Sequence, residues 1–196
     1  MSELKNYVLD INITKKLSFR DIFGNDNPIE VDVGCGKGRF LIARANQFAE
    51  TNFLGIERMR SRQSNVNKKI NRHNLENVYV TGLEASYVVE NQIEPDSVSV
   101  YHIFFPDPWP KRRHHKRRLF SESFLNSIYN TLTADGVINE ATDHLDYFDV
   151  IYEILSDDNR FKEIETFEPV DHERTGFELM FIGQGLKIGR CSFEKR

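Results

Sequence analysis

The sequence predicts an α/β protein: a doubly wound, mostly parallel sheet that closes with antiparallel strands. Three observations carry that expectation. From about residue 29, short apolar runs alternate with segments of helical period. The first of those runs ends in a glycine-rich turn that opens a helix. Beyond about residue 160 no helical period separates the apolar runs. Strand–helix alternation with short connections builds a parallel sheet with crossovers, whereas strands that follow one another directly return antiparallel.

The elements follow in order. Ile29–Val33 reads as the first strand, and Leu41, Ala45 and Phe48 repeat at helical spacing after the glycine turn. Asn52–Glu57 is a second strand, followed by a basic helix to about Arg72. Asn77–Thr81 is a third strand and Glu84–Asn91 a short helix. Ser97–Phe105 is a longer buried strand with a proline-rich loop at its carboxyl end. Phe124, Ile128 and Leu132 mark a helix that stops near Asp135-Gly136. Val137–Ala141 is the fifth strand, and Phe148, Ile151, Tyr152 and Leu155 give another amphipathic helix. Phe161–Phe167 and Phe177–Gln184 read as strands joined by a polar loop, and Leu186–Phe193 alternates again. Residues 1–28 are the least readable part.

Length allows one domain over residues 1–196, since 196 residues build a real core but hardly two. No apolar run has membrane-spanning length, and Met1-Ser-Glu-Leu-Lys-Asn6 lacks a signal-peptide pattern. Cys35 and Cys191 have no ligand spacing, which fits a reducing cytoplasm and leaves neither a disulfide framework nor a structural zinc. The net charge of −4 hides an asymmetry. Residues 58–73 hold Arg58, Arg60, Arg62, Lys68, Lys69 and Arg72 without an acid, and residues 111–118 hold six more Lys or Arg. Two acid-free basic runs in an acidic chain point to an anionic partner of the nucleic-acid kind.

Asp32-Val-Gly-Cys-Gly-Lys-Gly38 lies between the first strand and the first helix. In a doubly wound sheet, ligands sit at the carboxyl ends of the strands, so Gly34, Gly36, Gly38 and Asp32 border the expected site. Glu57 ends the next strand, where a carboxylate can accept both ribose hydroxyls. A dinucleotide site wants G-x-G-x-x-G and a pyrophosphate on the helix N-terminus. This chain has Arg39 where that third glycine falls, and Asp32 repels a phosphate. The pattern suits S-adenosylmethionine, which has no phosphate and carries a sulfonium and an ammonium.

Phe104-Phe-Pro-Asp-Pro-Trp-Pro-Lys-Arg-Arg-His-His-Lys-Arg-Arg118 is the most specific tract. Each proline fixes its own φ and drives the residue before it toward extended backbone, so Asp107 and Trp109 are expected on a stiff loop. Asp107 suits two jobs: accepting hydrogen bonds from a guanine N1–H and exocyclic amine, or capping the next turn. Trp109 suits a base stack or a wedge against the core.

Together with Gly55-Ile-Glu57, Thr142-Asp143, Tyr147 and Thr175-Gly-Phe-Glu178, these tracts occur in the order seen in one family. Over roughly residues 29–193 the chain resembles the bacterial tRNA (guanine-N7)-methyltransferases. The resemblance implies a Rossmann-like class I S-adenosylmethionine-dependent fold, and methyl transfer to N7 of a guanosine in the tRNA variable loop, position 46. It assigns Asp32, Gly34, Gly36, Gly38, Glu57 and Glu84 to the cofactor, with Asp107 counted both there and as the catalytic or base-binding acid. Lys111, Asp143, Thr175, Gly176, Phe177 and Glu178 match substrate positions. Arg112, Arg113, His114, His115, Lys116 and Arg117 match an RNA-contacting stretch. The family more often has Glu at 32 and Asp at 84, and its amino-terminal region is longer. The implied partners are tRNA and no membrane, with a monomeric or homodimeric chain.

The chemistry agrees. Guanine N7 has a free lone pair and no proton to lose, so displacement needs no general base or metal, and orientation and electrostatics carry the catalysis. Asp143, His144 and Asp146 offer a metal-ligand reading, but Thr142-Asp143 has the better role in base binding. His102 within a strand reads as a packed histidine. Two other functions compete. A methyltransferase acting on an exocyclic amine would prefer acid-Pro-Pro-aromatic where this chain has Asp107, Pro108, Trp109 and Pro110. An RNA-binding subunit with a vestigial cofactor fold would not need the intact glycine loop and Glu57.

Overall fold

A computed structural model describes residues 5–10 and 12–196. Most of the amino-terminal stretch read as lacking a signal pattern, residues 1–4, lies outside them. Among the described residues one sheet runs through the molecule. Its strands are β1 (Val8–Leu9), β2 (Ile29–Val33), β3 (Asn52–Ile56), β4 (Val78–Thr81), β5 (Val98–Phe104), β6 (Leu132–Thr142), β7 (Phe161–Glu163) and β8 (Gly189–Lys195). Their spatial order is β1-β4-β3-β2-β5-β6-β8-β7. Every pair from β1 across to β6 is parallel, and β8 pairs antiparallel with both β6 and β7. The chain thus moves outward from β2 to β4 and returns to the other side of β2 as β5. That reversal opens a crevice at the carboxyl ends of β2, β3 and β5.

Burial explains why these runs became strands. All five residues of β2 and of β3 are buried, as expected of central parallel strands covered on both faces. On one face, helices α2 (Arg39–Gln47) and α3 (Arg60–His73) bury Leu41, Ile42, Ala45, Val66 and Ile70 against Phe53, Val78 and Val80. On the other, α5 (Glu122–Thr131) and α6 (Leu145–Ser156) bury Phe124, Ile128, Tyr147, Ile151 and Leu155 against Tyr101, Ile138 and Phe193. The first 28 residues add α1 (Phe19–Phe23), capped by the Ser18 hydroxyl, and the short edge strand β1.

Two local expectations are corrected and one, the short helix after β4, is refined. The helix through Phe124 and Ile128 ends at Thr131, not near Asp135-Gly136. Leu132 has an extended ψ and already pairs with Val98, so β6 starts there; residues 133–136 are absorbed by a register shift before Val137 pairs with Val100. The short helix after β4 is one α turn, α4 (Ala85–Tyr87), continued by a π turn over Val88–Gln92. Residues 177–184, read as a strand, form α7 (Gly176–Gly183). Thr175 is its N-cap: the hydroxyl accepts from Glu178 N–H at 3.0 Å, in the Thr-x-x-Glu spacing of a capping box. The antiparallel ending survives because β8 returns after this helix.

Candidate active site

The glycine loop is built by the sheet beneath it. Gly34 and Cys35 N–H both donate to the Ile56 carbonyl, at 2.8 and 3.0 Å, so the turn leaving β2 is held by β3. Gly38 then opens α2 at φ +69°, and a Cβ there would come within 2.8 Å of Val66. Glycine is required at 38 twice over, by backbone and by packing. Gly34, at φ +81°, has open space where a side chain would point. The loop therefore presents bare backbone toward the crevice.

Two acids stand beneath it. Asp32 is buried, and its Oδ2 has no hydrogen-bond partner among the described residues. Burial, then the charge of Glu57, pushes the Asp32 carboxyl up to about 8. Glu57 is pinned: Oε1 accepts from Met59 N–H at 2.7 Å and Oε2 from Arg62 Nη1 at 3.3 Å. An orphaned buried carboxylate beside a second acid suits a cationic ligand; each carboxylate oxygen also has acceptor capacity to spare. The residues present fit S-adenosylmethionine: Asp32 toward its ammonium end and Glu57 toward its ribose. Glu84 caps α4, accepting from Tyr87 N–H at 3.0 Å. Burial would raise its pKa, but hydrogen bonds from Ser86 and Tyr87 hold the carboxyl below its usual range.

The proline loop continues the pairing of β5, with Phe105 N–H donating to Ala141 O at 2.7 Å. The expected extended geometry fails before two of the three prolines. Phe105 has φ +55° and Trp109 φ +42°, both left-handed, and both precede a proline. Bulky residues in that region mark stored strain held by their surroundings. One restraint is visible: Arg118 Nε donates to Pro108 O at 2.8 Å while its guanidinium lies 4.4 Å from the Tyr147 ring centre. Trp109 packs against the basic turn rather than the core, with the Arg117 guanidinium 4.9 Å from its ring and His114 edge-on at 5.7 Å. Asp107 is exposed and makes no side-chain hydrogen bond among the described residues, so it does not cap the 3-10 turn Arg112–Arg117. Lys111, Arg112, Arg113, Lys116 and Arg117 are exposed around it, and His115 with them.

Helix α7 reaches the same place. Phe105 packs against Phe181 at 5.5 Å, and Phe177 stacks on Phe181 at 6.1 Å with half its surface exposed. Thr175–Glu178 is thereby brought beside the proline loop, and Asp143 lies just past the end of β6, the strand next to β5. Glu178 turns the other way. It is fully buried and accepts from both Arg174 and Arg190, fixing the start of α7 rather than facing solvent.

The Methyltransf_4 family model, described as "Putative methyltransferase", matches residues 26–178. A tRNA (guanine-N(7)-)-methyltransferase from Francisella philomiragia subsp. philomiragia is 34% identical over 192 residues, covering 96% of this chain and 84% of the relative. One from Oceanobacillus iheyensis is 33% identical over 204 residues, covering 100% of this chain and 94% of the relative. The chain belongs to the tRNA (guanine-N7)-methyltransferase family. Solved structures agree on the fold. The 16S rRNA methyltransferase KamB superposes with a TM-score of 0.67 at 12% identity, covering 90% of this chain and 92% of that one. A Streptococcus mutans protein described as "a putative methyltransferase", in complex with SAH, superposes at 0.60, also at 12% identity, covering 90% and 95%.

In this family member several supporting residues escaped the sequence. Arg39 Nε donates to Arg174 O at 2.8 Å, and Arg44 bridges Glu30 at 2.8 Å and Glu173 at 3.5 Å, tying α2 to the loop before Thr175. His102 is packed, as expected: its ring lies 2.9 Å from Glu30 and edge-on to Phe40. Arg118 reads as one more cation in a basic run, and only its half-buried position separates it from its neighbours.

Proposed function

We propose that this chain transfers a methyl group from S-adenosylmethionine to N7 of a guanosine in tRNA, at variable-loop position 46. The observation that carries the reading is the pairing of two acids in different states. Among the described residues, Asp32 is buried with its Oδ2 unpartnered beneath an open glycine loop, while Asp107 is exposed and unpartnered on a strained loop two residues past the end of the pairing of β5. The first suits a cationic cofactor and the second a base presented to it. When bound, the cofactor supplies an electrophilic methyl group on a sulfonium.

The residues do the rest. Asp107 holds the guanine through its N1–H and exocyclic amine, leaving the N7 lone pair free to point at the methyl carbon. Methylation at N7 would leave positive charge on the base, and no proton would have to leave. Asp107 and Asp143 stabilise that charge electrostatically. Phe177, stacked on Phe181 and half exposed, offers a face for a base. Lys111 and the cations of the 112–117 turn contact phosphates, which supplies affinity without sequence reading. tRNA as substrate makes the cytoplasm the working compartment.

The test is incubation with labelled S-adenosylmethionine and unmodified tRNA, followed by nucleoside analysis. The expected product is labelled 7-methylguanosine at position 46. Label in another nucleoside, or none, overturns the reading.

A further inference from the structure

Apart from Arg62, which pins Glu57, the first basic run has no role in the chemistry above, yet the fold places it beside the site. Lys68 and Arg72 lie one turn apart on the exposed face of α3, opposite Val66 and Ile70, which are buried. Lys69 leans the other way, toward the glycine loop, and its ammonium donates to Lys37 O at 2.6 Å. Lys37 and Arg39 belong to that loop and to the first residue of α2. None of these five cations has an acid within ion-pair distance among the described residues. They crowd one another: burial, then the charges of Arg39, Lys37 and Arg72, holds the Lys69 ammonium below its usual value. A folded protein tolerates like charges gathered this way at a cost, and a partner of opposite charge removes it.

Position relative to the other basic segment says what partner. Helix α3 follows β3 and the 112–117 turn follows β5, and β3 and β5 flank β2. The two segments therefore leave the same sheet edge about 10 Å apart, on opposite sides of the glycine loop. Along α3, which starts at Arg60, Lys68 and Arg72 follow at about 12 and 18 Å, with Lys69 against the glycine loop. No single nucleoside covers that distance. A folded RNA does, with its backbone running past the site on both sides.

We propose that Lys37, Arg39, Lys68, Lys69 and Arg72 form a second phosphate-binding surface, which grips the tRNA backbone on the side of the cofactor loop away from the 112–117 turn. This rests on the reading of tRNA as substrate. The surface makes affinity depend on the folded tRNA as a whole, where the 112–117 turn alone would serve a short fragment.

The experiment compares the full-length chain with the variant K68Q/K69Q/R72Q on unmodified tRNA. The logarithm of the dissociation constant is followed against the logarithm of salt concentration, together with KM for tRNA and the affinity for S-adenosylhomocysteine. The expected result is a salt slope shallower by about two, since each lost phosphate contact removes about 0.7–0.9. KM for tRNA rises about tenfold or more, cofactor affinity is unchanged, and the unfolding temperature is equal or higher because a repulsion is gone. K68Q/R72Q, exposed at both positions, repeats the measurement without touching Lys69 and should give a smaller change of the same sign. If the parent methylates tRNA and both variants keep its slope and KM, the second surface is refuted. If the parent makes no 7-methylguanosine, the functional reading fails, and a slope lowered by the variants still supports the surface as RNA-binding.

Discussion

The carboxyl group of Asp32 is buried beside Glu57, and its Oδ2 receives no hydrogen bond from the described residues. In the ligand-free protein this is a cost, and it has a pH signature. The folded value is pushed up to about 8 against an ordinary 3.8, so the folded chain keeps a proton that the unfolded chain releases above about pH 4. Stability is fully present below that and is lost as pH rises through about 8. Glu140, whose buried carboxyl is also pushed up, adds the same sign. The unfolding temperature of the free protein should therefore fall between about pH 5.5 and about pH 8. Saturating S-adenosylhomocysteine, which keeps the ammonium, should reduce the fall. Asp32→Asn should flatten part of the profile and stabilise the free protein by about 1–3 kcal/mol, a rise of roughly 2–12 °C, while cofactor affinity drops. A flat parent profile in scanning fluorimetry would show that Asp32 is not held protonated.

Asp107 has the opposite character, exposed and without a hydrogen-bond partner among the described residues. Removing it should leave the fold alone, with Asp107→Ala within about 0.5 kcal/mol of the parent in stability. Methylation should fall by a factor of about 100 or more, the scale set by losing one electrostatic group at the reacting centre. Isothermal titration with S-adenosylhomocysteine should give nearly the parental affinity. A collapse of that affinity would make Asp107 a cofactor residue.

Beneath the site, Arg44 joins Glu30 and Glu173 in an almost buried cluster with His102. Burial alone would raise Glu30, but the His102 hydrogen bond and charge, with the Arg44 guanidinium, hold its carboxyl below the usual range. Burial holds the His102 imidazole below its usual value. Arg44→Met leaves two acids without their cation and should cost about 3–5 kcal/mol, on the order of 10 °C in unfolding temperature. Arg44→Met with Glu30→Gln should recover part of that loss, and additive losses in the double-mutant cycle would show that the two side chains are not coupled.

Sequence and structure agree where burial is simple. Strands β2 to β5 read correctly because parallel strands that are wholly or mostly buried are short apolar runs closed by glycine, acid or proline. The Leu179-Met-Phe-Ile182 run misled because its apolar residues have no period, and half-exposed Phe177, Leu179, Met180 and Ile182 give the helix no polar face. Its start was nonetheless written in Thr175-x-x-Glu178. The glycine loop, Glu57 and the proline loop were legible because their residue types are unusual in themselves. Arg39 was not, since its partner lies 135 positions away in the chain. Nor was the left-handed backbone at Trp109, which local proline rules forbid and tertiary contacts impose.

Those contacts centre on Arg118. Its Nε donates to Pro108 O and its guanidinium lies over Tyr147, while the Tyr147 oxygen accepts from Phe120 N–H at 3.2 Å. The loop that carries Asp107 is thus fastened to a core side chain of α6 through one arginine. Phe105 and Trp109 hold positive φ at a cost of order 1–3 kcal/mol each, which persists only while the surroundings enforce it. Arg118→Ala removes the hydrogen bond to Pro108 and the contact with Tyr147 together, and the loop should relax toward the extended backbone its prolines prefer. Asp107 would then be displaced from a fully intact cofactor site. The expected outcome is a fall in kcat of roughly tenfold to a hundredfold, since misplacement by about 1 Å has that effect. Affinity for S-adenosylhomocysteine should not change. Arg118→Lys keeps the charge but loses the planar stacking on Tyr147, so it should recover little. If Arg118→Lys restored full kcat, charge alone would be sufficient and the loop would owe its geometry to something else.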